Sequence, residues 1–133
     1  MISRVAAVEI PVSVLEKSVQ WYAEILDLAP IGEVTASAEA VMLRFPGSPA
    51  DVPGVYLVRT DATERLGFHT AGRTWPQSIV DFYTDDLAAF HGHLTRYGVP
   101  TNRDSLDFAP GEPGGFGFLD PDGNSLGATN VSG

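Results

Sequence analysis

The heptapeptide FLDPDGN at residues 118–124 is the most specific local signal in the chain. Pro121 presets the backbone φ angle at the start of a turn, and Gly123 or Asn124 accepts a positive φ. The stretch therefore predicts a hairpin between two flanking strands. A calcium loop would need a later bidentate glutamate, and no glutamate follows the motif in the sequence. We expect the motif to shape the fold rather than to bind a ligand.

The chain as a whole repeats a pattern of strand, helix and further strands. A shift of 72 residues places Glu9 on Asp81 and aligns the neighbouring apolar positions. We divide the single 133-residue domain into a first module at 1–61, a connecting loop at 62–76 and a second module at 77–133. Because a unit of about 65 residues is marginally stable alone, we expect the modules to share a sheet or a cavity.

Apolar residues at helical spacing predict one helix in each module. In the first module the spacing supports a helix over about 14–27, and Ser13 with Glu16 has the form of a capping box. In the second module Asp85 or Asp86 can cap a helix whose apolar positions are Leu87, Phe90, Leu94 and Tyr97. Both helices follow a predicted strand, as the repeat requires.

Composition restricts the classes of partner. Eight Lys and Arg residues against seventeen Asp and Glu residues give a formal net charge of −9, which disfavours nucleic acid and membrane surfaces. The absence of cysteine excludes disulfides and thiolate metal sites. No apolar run approaches the ~18 residues of a membrane span, and no signal-peptide pattern is present, so we expect a cytoplasmic protein. A single lysine beside abundant Ala, Val and Gly suggests a bacterial source.

Three regions together resemble a known family over nearly the whole chain. They are IPVSVLEKS at 10–18 with WY at 21–22 and LDL at 26–28, then FYTDDL at 82–87, then FLDPDGN at 118–124. The chain thereby resembles the vicinal oxygen chelate superfamily, which includes glyoxalase I, bleomycin-resistance proteins and extradiol dioxygenases. The resemblance implies an α+β fold of two βαβββ modules curled around a shared cavity, usually in a homodimer.

The resemblance to metal-dependent members of that superfamily implies four metal ligands, often two His and two Glu, on strands that face the cavity. The matching positions in this chain are Ala7, Ile79 and Gly127, with Tyr56 or Val58 as the fourth. Alanine, isoleucine and glycine side chains supply no donor, whereas a divalent ion needs three or four converging N or O donors. We therefore expect no bound metal.

The three histidines do not replace the missing ligands. His69 lies in the connecting loop, and His91 and His93 lie on the second predicted helix. Two positions along a helix correspond to roughly 200° around its axis, so that pair cannot hold one ion. Without a nucleotide-binding glycine motif either, we expect no cofactor.

Two carboxylates are the polar candidates for lining the cavity. Side chains two apart on a strand share a face, so Glu9 points the same way as Ala7, and Asp81 the same way as Ile79. They would lie near each other across the repeat and could bind a cation or act as a general base. Either could instead face solvent or pair with an arginine. The full set of candidate ligand-binding residues is Glu9, Asp81, Arg44, Tyr56, Phe68, Trp75 and Phe116.

These residues support a metal-independent protein that binds a small organic ligand, of the drug-sequestering bleomycin-resistance type. An enzyme is the alternative. It would be metal-free, with Glu9 or Asp81 as base and Arg44 or Arg73 steadying an anion, or a lyase or dioxygenase with an unrecognised metal site. A structural or partner-binding module is a third possibility, and the sequence leaves turnover open.

Overall fold

The structure is a computed structural model that describes residues 1–107 and 109–132. By its internal contacts the chain separates into two units, Met1–Arg65 and Leu66–Gly133. The first unit holds β1 (Ala7–Val12), α1 (Leu15–Leu26), β2 (Ala29–Pro30), β3 (Ala40–Arg44) and β4 (Gly54–Arg59). The second holds β5 (Val80–Tyr83), α2 (Leu87–Arg96), β6 (Gly115–Leu119) and β7 (Ser125–Thr129).

The first unit is a four-stranded sheet in the order β1-β4-β3-β2, with β1 parallel to β4 and the other pairs antiparallel. Successive residues of β1 alternate between faces, so Ile10 and Val12 are fully buried while Glu9 is exposed. Helix α1 packs on β2 and β4 and buries Tyr22 and Ile25. Glu9 therefore lies on the face of the sheet opposite to the helix.

The start of α1 differs from the prediction. The helix begins at Leu15, so its N-cap residue is Val14, and Val14 makes no side-chain capping bond. Ser13, the expected N-cap residue, therefore precedes the observed cap position by one residue. At the other end Asp27 adopts the left-handed conformation at φ 59°, and its N–H donates to the Ala23 carbonyl at 3.1 Å.

The second unit is a three-stranded sheet in the order β5-β7-β6, with β5 parallel and β6 antiparallel to the central β7. Asp86 is the N-cap residue of α2, and its Oδ1 accepts the Ala89 N–H at 3.0 Å. Phe90 of α2 meets Phe118 edge-on at 5.6 Å between ring centroids. Phe118 is fully buried. The helix therefore covers the face of the sheet that carries Phe118.

The fold is a mixture of helices and two small sheets, as the α+β prediction required, with one local difference. The first unit has the βαβββ order, whereas the second has only two full strands after its helix. Beside β6 the missing strand is reduced to a bridge between Thr101 and Phe118. Pro100, which lacks an N–H, limits the pairing there, although its carbonyl accepts the Leu119 N–H at 3.1 Å. No helix in the described part of the chain is long and apolar enough to cross a membrane.

Candidate functional site

A pocket of about 520 Å³ opens in the second unit. It lies against the face of the β5-β7-β6 sheet opposite to α2, where Gly115, Gly117 and Gly127 carry no side chains. A volume in this range suits a small organic ligand. The residues that give the pocket its chemical character are Arg73, Trp75, Asp81, Asn102 and Arg103; Phe116 also borders the pocket, but its ring packs against Phe90 and His91 of α2.

Trp75 forms an aromatic wall of this pocket above Gly117. A Cβ atom added at Gly117 would lie 2.8 Å from the indole Nε1, so a side chain there would displace the ring. The indole N–H is buried and has no hydrogen-bond partner, and it is the one such side-chain atom found among residues 1–107 and 109–132. Buried donors in native structures nearly always have a partner, so this one requires an explanation.

The hairpin motif fastens the segment that carries Trp75. Asp120 is buried, and its Oδ1 accepts the backbone N–H groups of Asp122 at 2.9 Å and Asn124 at 2.8 Å. The Asn124 side chain then accepts the Leu66 N–H at 2.8 Å. The motif therefore connects the tight turn to the beginning of the segment at 66–77.

The end of the same segment is held by the residue after the motif. Ser125 donates its N–H to the Leu66 carbonyl at 2.9 Å and its hydroxyl to the Pro76 carbonyl at 2.6 Å. Between these anchors Phe68 and Gln77 pair as an isolated bridge. The segment is therefore attached at both ends to the turn, which determines where Trp75 lies over the sheet.

A second segment contributes Asn102 and Arg103. Asn102 accepts the Gly117 N–H through Oδ1 at 2.8 Å, and the Asn102 N–H donates to the Gly117 carbonyl at 3.0 Å. The Arg103 carbonyl lies 2.7 Å from His91 Nε2. Because a carbonyl only accepts, His91 must carry its proton on Nε2. His91 is buried on α2 and thereby positions this side of the pocket.

Asp81 lies on the floor of the pocket. It stands opposite Gly127 in the parallel β5–β7 register, and the Ser78 hydroxyl donates to its Oδ1 at 2.7 Å. A Cβ atom at Gly127 would collide with Asp81 Oδ1 and would lie 2.7 Å from Ser78 Oγ. The Asp81 carboxylate therefore fills the space that a side chain at position 127 would need.

A family model for the glyoxalase/bleomycin resistance protein/dioxygenase superfamily matches residues 4–127. This span covers both units nearly completely. The chain belongs to the glyoxalase/bleomycin resistance protein/dioxygenase superfamily. A search of the curated proteins finds no match.

Solved structures with this fold include superfamily members and resistance proteins. A superfamily member from Sphaerobacter thermophilus DSM 20745 has a TM-score of 0.69 and 23% identity, covering 97% of this chain and 98% of its own. The fosfomycin resistance protein FosX from Listeria monocytogenes has a TM-score of 0.69 at 16% identity, covering 99% and 94%. The antibiotic binding protein TnmS3 from Streptomyces sp. CB03234 has a TM-score of 0.68 at 22% identity, covering 98% of each chain. At these identities the likeness concerns the fold alone.

The residues at the superfamily's metal positions do not fit a divalent ion. Tyr56 lies opposite Glu9 in the β1–β4 register, just as Gly127 lies opposite Asp81, so Tyr56 rather than Val58 holds the equivalent position. Ala7, Ile79 and Gly127 offer no side-chain donor. Across the described residues, no group of three or more His, Asp or Glu side chains could hold a metal ion.

The predicted ligand-binding residues fall into three groups. Asp81, Trp75 and Phe116 line the 520 Å³ pocket. Phe68 is not a lining residue of that pocket, although it pairs with the lining residue Gln77, and its side chain is exposed. Glu9, Arg44 and Tyr56 belong to the first unit.

Within the first unit the predicted residues have separate surroundings. Glu9 lines a smaller pocket of about 330 Å³ together with Pro11, Val58 and Glu64. The Arg44 guanidinium donates to the Val52 carbonyl at 2.7 Å. A meeting of Glu9 and Asp81 across a shared cavity stays a prediction.

Sequence reasoning missed the polar residues that come from loops. Ser78, Asn102 and Arg103 line the pocket, yet none of them belongs to a recognisable motif. Asn102 reaches the site because its backbone pairs with Gly117, fifteen residues further along the chain. The sequence of residues 101–115 shows neither helical nor strand periodicity, so no pattern could indicate that pairing.

Proposed function

We propose that this chain is a metal-independent protein that binds a small organic ligand and sequesters it, in the manner of a drug-resistance protein. The supporting observation is the 520 Å³ pocket of the second unit, with Trp75 as an aromatic wall and an unsatisfied indole N–H at its edge. An apolar wall combined with a few polar groups is the usual composition of a small-molecule site. No chemical step is part of this proposal.

The superfamily's metal positions support the metal-independent part of the proposal. Three of the four lack a donor atom, and at Gly127 even a methyl group would collide with Asp81. A glutamate at that position would need Asp81 to move away. A divalent ion at this site would therefore lack the carboxylate that the superfamily pattern implies.

Two relatives in fold support the choice of ligand class. One is named as a fosfomycin resistance protein and the other as an antibiotic binding protein. We propose by analogy that the ligand is a drug-like organic compound. We also propose, on sequence grounds, that the domain divides into modules at 1–61 and 77–133, forms a homodimer and acts in a bacterial cytoplasm.

A base role for Asp81 is the second candidate function. Its Oδ1 is held by the Ser78 hydroxyl at 2.7 Å, and the carboxylate lines the same pocket as the Arg73 guanidinium. A carboxylate held in this way could remove a proton from a bound carbon acid, with the guanidinium stabilising the resulting anion. Replacing Asp81 by Asn would then abolish turnover and leave binding largely intact.

A thermal-shift screen tests the proposed function. Wild-type protein and Trp75→Ala are each exposed to a panel of small aromatic acids, amines and neutral compounds, and separately to Mg²⁺, Mn²⁺, Ni²⁺ and Zn²⁺. A compound present at a hundred times its Kd should stabilise the wild type by about 2.7 kcal/mol. Trp75→Ala should respond much less, and the ions should have no effect.

Trp21→Ala is the matched control, because Trp21 lies on α1 in the first unit. This variant should respond to the same compounds as the wild type. Stabilisation by one ion, or metal retained after purification without chelator, would contradict metal independence. A complete panel without a stabilising compound would contradict the binding function.

A further inference from the structure

The charges around the 520 Å³ pocket are opposite in sign to the charge of the whole chain. Two basic residues, Arg73 and Arg103, line it together with one acidic residue, Asp81. The chain as a whole has a formal net charge of −9 and only eight basic residues. A net positive lining on such an acidic protein favours an anionic ligand, since like charges around a site repel a ligand of the same sign.

The two arginines differ in their availability. Arg103 forms an exposed ion pair with Asp107 at 3.4 Å. The Arg73 guanidinium makes no ion pair or hydrogen bond within the described residues, and it lies two positions from Trp75 in the same segment. Asp81 is engaged by the Ser78 hydroxyl. Arg73 is therefore the charged group of the pocket that is free to pair with a ligand.

Two further donors converge near Gly117. The Trp75 indole N–H lies beside it without a partner, and the Asn102 side chain lies beside it with Oδ1 occupied by the Gly117 N–H. With Oδ1 accepting, the Asn102 Nδ2 group is left as a donor. Because Gly117 has no Cβ, the indole Nε1 can lie directly against the strand at this point. An acceptor atom there would supply the partner that the indole N–H lacks.

We propose that the pocket takes a planar aromatic anion, such as an aromatic carboxylate. Arg73 pairs with the anionic group, the Trp75 and Asn102 donors meet an acceptor oxygen, and the aromatic plane lies against the indole. This assignment rests on the proposed function and replaces the cationic ligand that Glu9 and Asp81 had suggested. A charge-assisted bond to guanidinium is stronger than a neutral hydrogen bond, so the charge of the ligand should dominate its selectivity.

The test uses the two tryptophans of the chain as reporters. Protein labelled with ¹⁵N gives two indole N–H resonances, which Trp75→Phe assigns, and Trp21 serves as the internal reference. Two probes of matched shape are titrated, 2-naphthoate and 2-naphthylmethylammonium. We expect 2-naphthoate to shift the Trp75 indole proton downfield and to bind about tenfold more tightly than the amine.

Charge variants locate the anionic group. Arg73→Gln should weaken 2-naphthoate binding by about fivefold. Arg96→Gln removes the same charge from the end of α2, outside the pocket lining, and should leave the affinity unchanged. Equal weakening by both variants would indicate a general charge effect and would overturn the role of Arg73.

The remaining outcomes separate this inference from the proposed function. Tighter or equal binding of the amine at Trp75 would overturn the anion assignment while supporting a small-molecule site. Binding of 2-naphthoate without a downfield shift of the Trp75 proton would overturn the donor assignment. If neither probe perturbs Trp75 but another compound stabilises the protein through Trp75, only the present inference fails. If nothing binds, both fail.

Discussion

Asp81 and Gly127 face each other in the parallel β5–β7 pair, and the carboxylate of the first occupies the space that a side chain on the second would need. The position of the Asp81 carboxylate therefore limits the size of the side chain at position 127. Gly127 is buried, and a side chain there would force the Asp81 carboxylate and the Ser78 hydroxyl to move. Position 127 is also where the resemblance to metal-dependent members of the superfamily implies a carboxylate, and Asp81 occupies the space that it would need.

Gly127→Ala should destabilise the protein by about 1–3 kcal/mol, because the new methyl group collides with Asp81 Oδ1. Asp81→Ala alone should have a small effect, since Asp81 is exposed. The double variant should recover most of the loss, since neighbouring residues couple energetically. Urea unfolding of the four proteins measures the coupling, and purely additive effects would contradict the collision.

Gly92→Ala, in the same unit, should have the opposite effect on the free energy of unfolding and stabilise the protein. Gly92 lies within α2, is exposed, and an added Cβ would have no neighbour within 4 Å. Alanine restricts the unfolded chain more than glycine does, so the variant should be more stable by about 0.5–1 kcal/mol. A higher urea midpoint with an unchanged slope would agree with this expectation. A lower midpoint would show that α2 is packed differently there.

Asn124→Ala should be among the most damaging single changes in the second unit. Its side chain accepts the Leu66 N–H at 2.8 Å and donates to Asp120 Oδ2 at 2.8 Å, and the residue is fully buried. Leaving such groups unpaired costs about 1–3 kcal/mol each. Thermal unfolding measures the loss.

Gln20→Ala is the control for Asn124→Ala, because it also removes a side-chain amide. Gln20 makes an exposed bond to Glu24 at 3.1 Å on α1. Its loss should cost no more than about 0.5 kcal/mol. Similar losses for the two variants would mean that the hairpin motif is not a structural anchor.

His91→Ala should lower stability by about 2 kcal/mol, because it removes one of the two hydrogen bonds to the Arg103 carbonyl and empties space beside Phe116. It should also weaken ligand binding, since the Asn102–Arg103 segment loses one of its anchors. His69→Ala is the control, because His69 is exposed on the segment at 66–77, and it should change neither the stability nor the ligand affinity. Amide hydrogen exchange at Asn102 and Arg103 follows the loosening directly, and unchanged protection there would contradict the anchoring role.

Elements determined by local spacing were predictable from the sequence. The helix expected at 14–27 is α1 at Leu15–Leu26, and the cap offered by Asp86 is present. The hairpin around residues 118–124 is also present, between β6 and β7. Each of these elements depends on residues that lie a few positions apart, so the local sequence is enough to predict it.

Features that depend on pairing between distant residues were not predictable. The Asp81–Gly127 contact requires the register of two strands more than forty residues apart, and the Asn102–Gly117 bonds require a loop to lie along an edge strand. The sequence did suggest Trp75, Asp81 and Phe116 as candidates, because their chemistry is visible without geometry. The sequence also suggested Arg73 for the enzyme alternative, but the common pocket of these residues and the part played by Asn102 become visible only when the chain is folded.

In both units the last strand to be synthesised lies inside the sheet, since β4 lies between β1 and β3, and β7 lies between β5 and β6. During synthesis on the ribosome, the earlier strands of each unit therefore cannot complete their pairing until the central strand, β4 or β7, has been made. The parallel pairs close loops of about forty residues, which is slow compared with forming a helix or a hairpin. Each unit should consequently gain its tertiary structure in one late step, after its final strand has left the exit tunnel. Until that step the nascent chain presents unpaired strand edges for chaperones to protect.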